Sequence, residues 1–190
     1  MSEELSDSEL VAAFRAGDAG ALGLLMERHQ AAVFGYLLRL TGRRDAAEDL
    51  FQEVFLKLVR NPGAYNEREK FKAWLFTVAR NAAMDLFRRE GVRGEVPLEG
   101  DGDKPGPADF LASAEPGPAE AFYGKALGAS IDAALAALSA EQREVFYLRH
   151  YSGLSFKEIA ELLKVPIGTV LARMSRAAAQ LRKRLEKDLQ

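Results

Sequence analysis

Between Ser155 and Arg182 the chain places hydroxyl and basic side chains in an order suited to holding a polyanion. A helix starting near Ile167 projects Thr169, Leu171, Ala172, Arg173 and Arg176 outward, with Arg182, Lys183 and Arg184 further along. A helix N-terminus carrying Thr169 can sit against phosphate, and arginines can reach phosphates or base edges in a major groove. The preceding residues fit that use. Ser155 and Glu158 have the spacing of a capping box, which opens a short helix ending at Leu163. Lys164-Val165-Pro166 then turns the chain, giving a helix-turn-helix. Ile159, Leu163, Val165, Val170 and Met174 supply a miniature core, and Ala160 is small where the helices would cross. Lys164 stands at a turn position where glycine would be easier. A plain helical hairpin with a solvated basic face has the same pattern.

Two more polar faces lie upstream. Asp49, Gln52 and Glu53 share one side of a helix whose other side is apolar, the usual pattern of a solvated stripe. Arg80, Asn81, Asp85, Arg88 and Arg89 form a polar, basic face near aromatic residues. Arginines interleaved with aromatics suit single-stranded DNA, where bases stack and phosphates are neutralised. Phe71 and Trp74 nevertheless sit at core positions, so the loop residues Tyr65 and Asn66 are the better placed to touch an unstacked base. For catalysis there is little material. No phosphate-cradling glycine loop, H-E-x-x-H or G-x-S-x-G occurs, and His29 and His150 are the two histidines. Asp49 and Glu53 have a metal-compatible spacing but no histidine beside them. No catalytic residue, metal or cofactor is expected.

The elements that must position these residues read as all-α. Asp7 is placed to cap a helix over about Ser8–Ala16, ended by Gly17. A second helix runs from near Ala19 to Leu40. In a third, opened by Asp45, Ala47, Leu50, Phe51, Val54, Phe55 and Leu58 make one apolar stripe. Asn61-Pro62-Gly63 breaks it, and a fourth helix spans about Glu69–Arg89, with Phe71, Trp74, Leu75, Val78, Ala82 and Leu86 inward. From Glu90 to about Pro118 the chain is dense in glycine and proline, which reads as a flexible linker. Beyond it come an alanine-rich helix over about Ala119–Leu138, a helix capped by Ser139 with Gln142 and running to about Tyr151, and then the helix-turn-helix, whose last helix continues to about Glu186. No stretch alternates with period two, so no sheet is expected. Two small helical domains, 1–89 and 119–190, thus flank a linker at 90–118.

Charge follows the same division. The net charge of −2 hides +3 over residues 61–89 and +4 over 121–190, masked by −3 over 1–60 and −6 over 90–120. The absence of cysteine excludes disulfides, thiolate zinc sites and thiol switches within this chain. The acidic, polar start is unlike a secretory signal, and no apolar run approaches the roughly 20 residues that span a bilayer. A cytoplasmic protein without membrane insertion is expected.

Taken together, these segments resemble the extracytoplasmic-function group of the sigma-70 family of RNA polymerase sigma factors. Ala47-Glu48-Asp49-Leu50-Phe51-Gln52-Glu53-Val54-Phe55 is similar to the polymerase-docking helix of region 2. Phe71-Lys72-Ala73-Trp74-Leu75, Ala79-Arg80-Asn81, Asp85 and Arg88-Arg89 resemble the helix beside the melted minus-ten element. Leu138 to Phe146, Ile159-Ala160, Gly168-Thr169-Val170, Arg173 and Arg176-Ala177 resemble region 4. The resemblance implies that Asp49, Gln52 and Glu53 dock on core RNA polymerase. It implies that Tyr65, Asn66, Arg80, Asn81, Asp85, Arg88 and Arg89 hold the minus-ten strand. Ser155, Lys157, Thr169, Leu171, Arg173 and Arg176 would face the minus-thirty-five element. Leu171 and Ala178 stand where the family often has basic residues. An anti-sigma factor is the further partner implied, and the free protein is expected to be a monomer and not an enzyme. A free-standing dimeric helix-turn-helix regulator on palindromic sites is the rival reading, and a helical metal-dependent hydrolase a second.

Overall fold

The computed structural model describes residues 5–66, 70–91 and 131–188. Among these, every regular element is helical. Helix α1 (Asp7–Arg15) is capped by Ser6, not by Asp7 as the sequence suggests. The Ser6 amide donates to Glu9 Oε2 at 2.7 Å and the Glu9 amide to Ser6 Oγ at 3.3 Å, so both exposed amides of the first turn are satisfied reciprocally. Asp7 is thereby free for a tertiary role. Its carboxylate meets Arg28 at 2.7 Å and His29 Nε2 at 2.8 Å on α2 (Ala19–Thr41). Burial holds the His29 imidazole below its ordinary pKa, although Asp7 pulls the other way.

Helix α2 starts at Asp18, whose side chain accepts from the Gly20 amide, and stops at Gly42 in the left-handed region (φ +69°). It packs against α1, against α3 (Arg44–Arg60) and against α4 (Phe71–Arg89). The α3 stripe anticipated from the sequence is buried at Ala47, Leu50, Val54, Phe55 and Leu58 and half-buried at Phe51. From α4 come Phe71, Leu75, Phe76, Val78, Ala79, Ala82, Ala83 and Phe87; Trp74 and Leu86 lie at the margin. This core aligns the outer faces of α3 and α4.

In the second half, residues 131–136 are helical and the rest of the expected alanine-rich helix, 119–130, lies outside the described residues, as does the linker beyond residue 91. Helix α5 (Ala140–Tyr147) is capped by the Ser139–Gln142 box. It does not continue regularly to Tyr151: Leu148–Ser152 widens into a π-turn closed by Gly153 at φ +64°. The Ser152 hydroxyl, bonded to the Leu148 carbonyl, also receives the Leu154 amide, which fixes the exit. Helix α6 (Phe156–Leu163) is capped by the Ser155–Glu158 box, and α7 runs over Ile167–Asp188. Among the described residues Lys164 is the non-glycine residue with positive φ (+57°), as its turn position foretold.

The halves touch. Arg39 Nη1 lies 2.9 Å from Asp132 and its Nε donates to Tyr151 Oη at 3.2 Å. Arg80 meets Glu144 at 2.8 Å, and Lys70 meets Glu158 at 3.0 Å. At Gly35 a Cβ would approach the Tyr151 ring within 3.2 Å, so glycine there permits the close approach.

Candidate nucleic-acid interface

The second and third elements of the α5–α7 unit make the expected helix-turn-helix. Ile159 and Val170 are buried between α6 and α7, with Leu163, Val165 and Met174 packed around them and Ala160 at the crossing. The turn is held by the Val165 amide bonding the Ala160 carbonyl at 3.1 Å, and α7 restarts where the Thr169 amide meets the Pro166 carbonyl at 2.9 Å. Leu171 and Arg176 are exposed, Thr169 and Ala172 half-buried. Ser155 and Lys157 are exposed at the start of α6, but the Ser155 hydroxyl is engaged with Glu158. Arg173 departs from the expected outward projection. Its side chain is 16% exposed and paired with Glu141 of α5 at 2.7 Å. A carboxylate one helix away captures it because α5 packs along α7.

On α4, Asn81, Asp85, Arg88 and Arg89 are exposed on one outer face. Asp85 pairs with Arg88 one turn on, and its carbonyl accepts from Arg89 Nε at 3.4 Å. Arg80 belongs to the same helix but points to the other half of the molecule. Burial works against its charge, yet the Glu144 carboxylate outweighs this and raises its pKa.

Tyr65 needs correction. The sequence makes it a loop residue available to a base, whereas its side chain is 3% exposed. Its ring lies edge-on to Phe71 at 5.3 Å and to Trp74 at 5.8 Å, with the Arg15 guanidinium over it. Arg15 also donates to the carbonyls of Pro62 and Tyr65, so the short helical turn at Pro62–Ala64 is anchored to α1. A large aromatic beside two others buries apolar area that exposure would forfeit. Asn66, next in the chain, is exposed.

The outer face of α3 presents Asp49, Gln52 and Glu53 together, all exposed. Leu56 and Val59, each 44% exposed, extend that face. The buried stripe of α3 does not include them. Yet they follow Gln52 at helical spacing, off the stripe, which was signal enough. Among the described residues no group of three His, Asp or Glu gathers to hold a metal ion, and no helix is long and apolar enough to cross a membrane.

Comparison with known proteins matches these two units in the same order. Residues 25–93 match the family described as sigma-70 region 2, and residues 128–181 match sigma-70, region 4. The chain is 36% identical over 172 residues to the ECF RNA polymerase sigma factor SigL of Mycobacterium tuberculosis, a match covering 90% of this chain and 92% of that one. It is 34% identical over 163 residues to the ECF RNA polymerase sigma factor SigE of Mycolicibacterium smegmatis, covering 86% of this chain but 61% of that protein's length. Its fold is similar to that of the sigma factor RpoE of Bartonella quintana, solved in complex with the anti-sigma factor NepR. That match has a TM-score of 0.65 and 27% identity, over 86% of this chain and 96% of the other. The chain belongs to the extracytoplasmic-function group of the sigma-70 family of RNA polymerase sigma factors.

Proposed function

We propose that this sigma factor uses the outer face of α3 to dock on core RNA polymerase, α4 to hold the displaced minus-ten strand, and the helix-turn-helix to read the minus-thirty-five element. The observation that carries the reading is the presence, on one chain and in order, of the region 2 and region 4 units, each with an exposed face suited to its role. On α3, acids and an amide flank two exposed aliphatic side chains, a mixture suited to a protein partner with a basic rim and an apolar centre. On α4, Asn81, Arg88 and Arg89 offer amide and guanidinium donors to a strand, with Asp85 orienting Arg88. On α6 and α7, Lys157, Thr169, Arg173 and Arg176 offer donors to duplex phosphates or base edges, and Leu171 an apolar contact for a thymine methyl.

The domain boundaries follow from this division: residues 1–89 dock and capture the melted strand, 119–190 read duplex, and the acidic linker at 90–118 passes between. Binding energy from docking and from region 4 positions polymerase, and region 2 then captures unpaired bases, shifting the duplex towards the open state by differential affinity. The chain supplies specificity and no bond-making chemistry. It acts in the cytoplasm, and, as with the Bartonella relative, an anti-sigma factor is the partner that would hold it inactive. The dimeric-regulator alternative is not favoured by the family found here.

Association of the purified full chain with core polymerase tests the docking role. Asp49→Lys with Glu53→Lys should weaken it by about tenfold or more, because each reversal sets a cation against the partner's basic rim. Leu56→Ala with Val59→Ala should do the same. Undiminished affinity in both variants would move the docking surface elsewhere.

A further inference from the structure

Arg15 stands in the last turn of α1, where an arginine ordinarily serves the open carbonyls of its own helix. Here it reaches across the fold instead. Its Nε donates to the Pro62 carbonyl at 2.9 Å and its Nη2 to the Tyr65 carbonyl at 2.5 Å, 47 and 50 residues further along the chain. The guanidinium also lies over the Tyr65 ring, 5.9 Å from its centroid. Two directed donors and a stacked plane fix direction as well as position, which the point charge of a lysine does not. Arg15 itself stands on a firm base. Leu10 and Val11 of α1 are buried in the core, and Asp7 ties the first turn to Arg28 at 2.7 Å and to His29 at 2.8 Å.

The turn so held leads into the strand-holding region. Within it the Ala64 amide bonds the Asn61 carbonyl at 2.9 Å, and Pro62 restricts its own φ. At its end the Tyr65 ring packs on Phe71 and Trp74 of the first turn of α4. Ring packing fixes the Tyr65 side chain and leaves the plane of the following peptide free to rotate. The Tyr65 carbonyl belongs to that plane, which joins Tyr65 to Asn66, so the bond from Arg15 sets how the chain enters Asn66. Asn66 is exposed.

We propose that Arg15 is a positioning residue for minus-ten recognition, which holds the Tyr65–Asn66 peptide so that the Asn66 amide meets an unstacked base in one orientation. The inference rests on the capture of the melted strand by residues 1–89 proposed above, with Asn66 among the residues that touch it. A side-chain amide reads a base through a paired donor and acceptor, so a rotated backbone lowers base preference before it lowers overall affinity.

Holoenzyme assembled from the full chain and core polymerase is mixed with single-stranded oligodeoxynucleotides carrying a randomised tract, and the bound and unbound pools are sequenced. The natural chain should show base preferences, and Asn66→Ala should erase the preference at one position. Arg15→Gln and Arg15→Lys should each weaken the preference at that same position by about tenfold and leave the others. Either change combined with Asn66→Ala should add nothing to Asn66→Ala alone, since Arg15 acts through that residue. A general loosening of the fold would instead lower all preferences together and add to the asparagine change. In Arg15→Gln the slope of log affinity against log salt should stay as it is.

The positioning role is overturned if Arg15→Lys keeps the preference, if all positions weaken alike, or if the double variant loses more than Asn66→Ala. A salt slope flattened by about 1 would also overturn it, by making Arg15 a phosphate contact. Loss of the preference in Asn66→Ala with retention in both Arg15 variants removes the positioning role and keeps strand capture by Asn66. A natural chain without preferences, or one unaffected by Asn66→Ala, removes the reading beneath it and the inference as well.

Discussion

Arg173 and Arg176 lie three residues apart on α7, yet the fold treats them differently. Arg176 is exposed, whereas Arg173 is tied to Glu141, whose own side chain is 67% exposed. A pair with one solvated partner contributes little to stability, so Arg173 can exchange Glu141 for a phosphate at small cost. Arg176 starts free of that exchange. Replacing Arg176 by Ala should therefore weaken promoter binding across sequences and flatten the slope of log affinity against log salt by about 1. The polymerase complex on promoter duplex is the material for that titration, and an unchanged slope would remove Arg176 from phosphate contact. Tyr65 teaches the reverse lesson at the same scale. Its position in a loop before α4 suggested availability to a base, but loop membership does not decide burial when Phe71 and Trp74 lie close enough to pack on it.

The helices show how far local signals reach. Both boxes in the second half, Ser139 with Gln142 and Ser155 with Glu158, were readable because a cap and its N3 partner are fixed by three-residue spacing alone. At the N-terminus the sequence suggested Asp7 as the cap, but a reciprocal box of Ser6 with Glu9 forms there and Asp7 goes to Arg28 and His29. The π-turn at Leu148–Ser152 had no comparable mark, since the exit is fixed by the Ser152 hydroxyl and by Arg149 reaching the Leu154 carbonyl at 2.9 Å. Lys164 was legible as an awkward turn residue, and its φ of +57° bears that out. A left-handed residue with a Cβ carries roughly 1 kcal/mol of strain that glycine avoids. Lys164→Gly should accordingly raise stability by about 1 kcal/mol in denaturant unfolding. A loss of stability would mean that the lysine side chain makes up for its backbone.

At the scale of the whole molecule, the all-α architecture and the two-part division were legible from periodicity and from the glycine- and proline-rich stretch between the parts. The faces were legible as faces, though their roles came from the family resemblance and not from spacing. What could not be read was how the parts meet. Arg80 and Glu144 are 64 residues apart, and Arg39 and Asp132 are 93 apart, with no local pattern linking them. An arginine on a polar helix face looks the same whether its partner is a phosphate or a distant carboxylate. Arg80 shows the ambiguity: it shares α4 with the exposed Arg88 and Arg89, yet it is paired with Glu144 of the second half.

The central claim, that this chain docks on polymerase through the α3 face and thereby directs it to promoters, is tested most directly by transcription. Purified protein is mixed with bacterial core polymerase on a library of genomic fragments, with the Asp49→Lys and Glu53→Lys variants run alongside. The account predicts start-site-specific transcripts with the natural chain and none with the variants. An active core that yields no specific transcripts with the folded natural chain, or yields them equally with the variants, would contradict it.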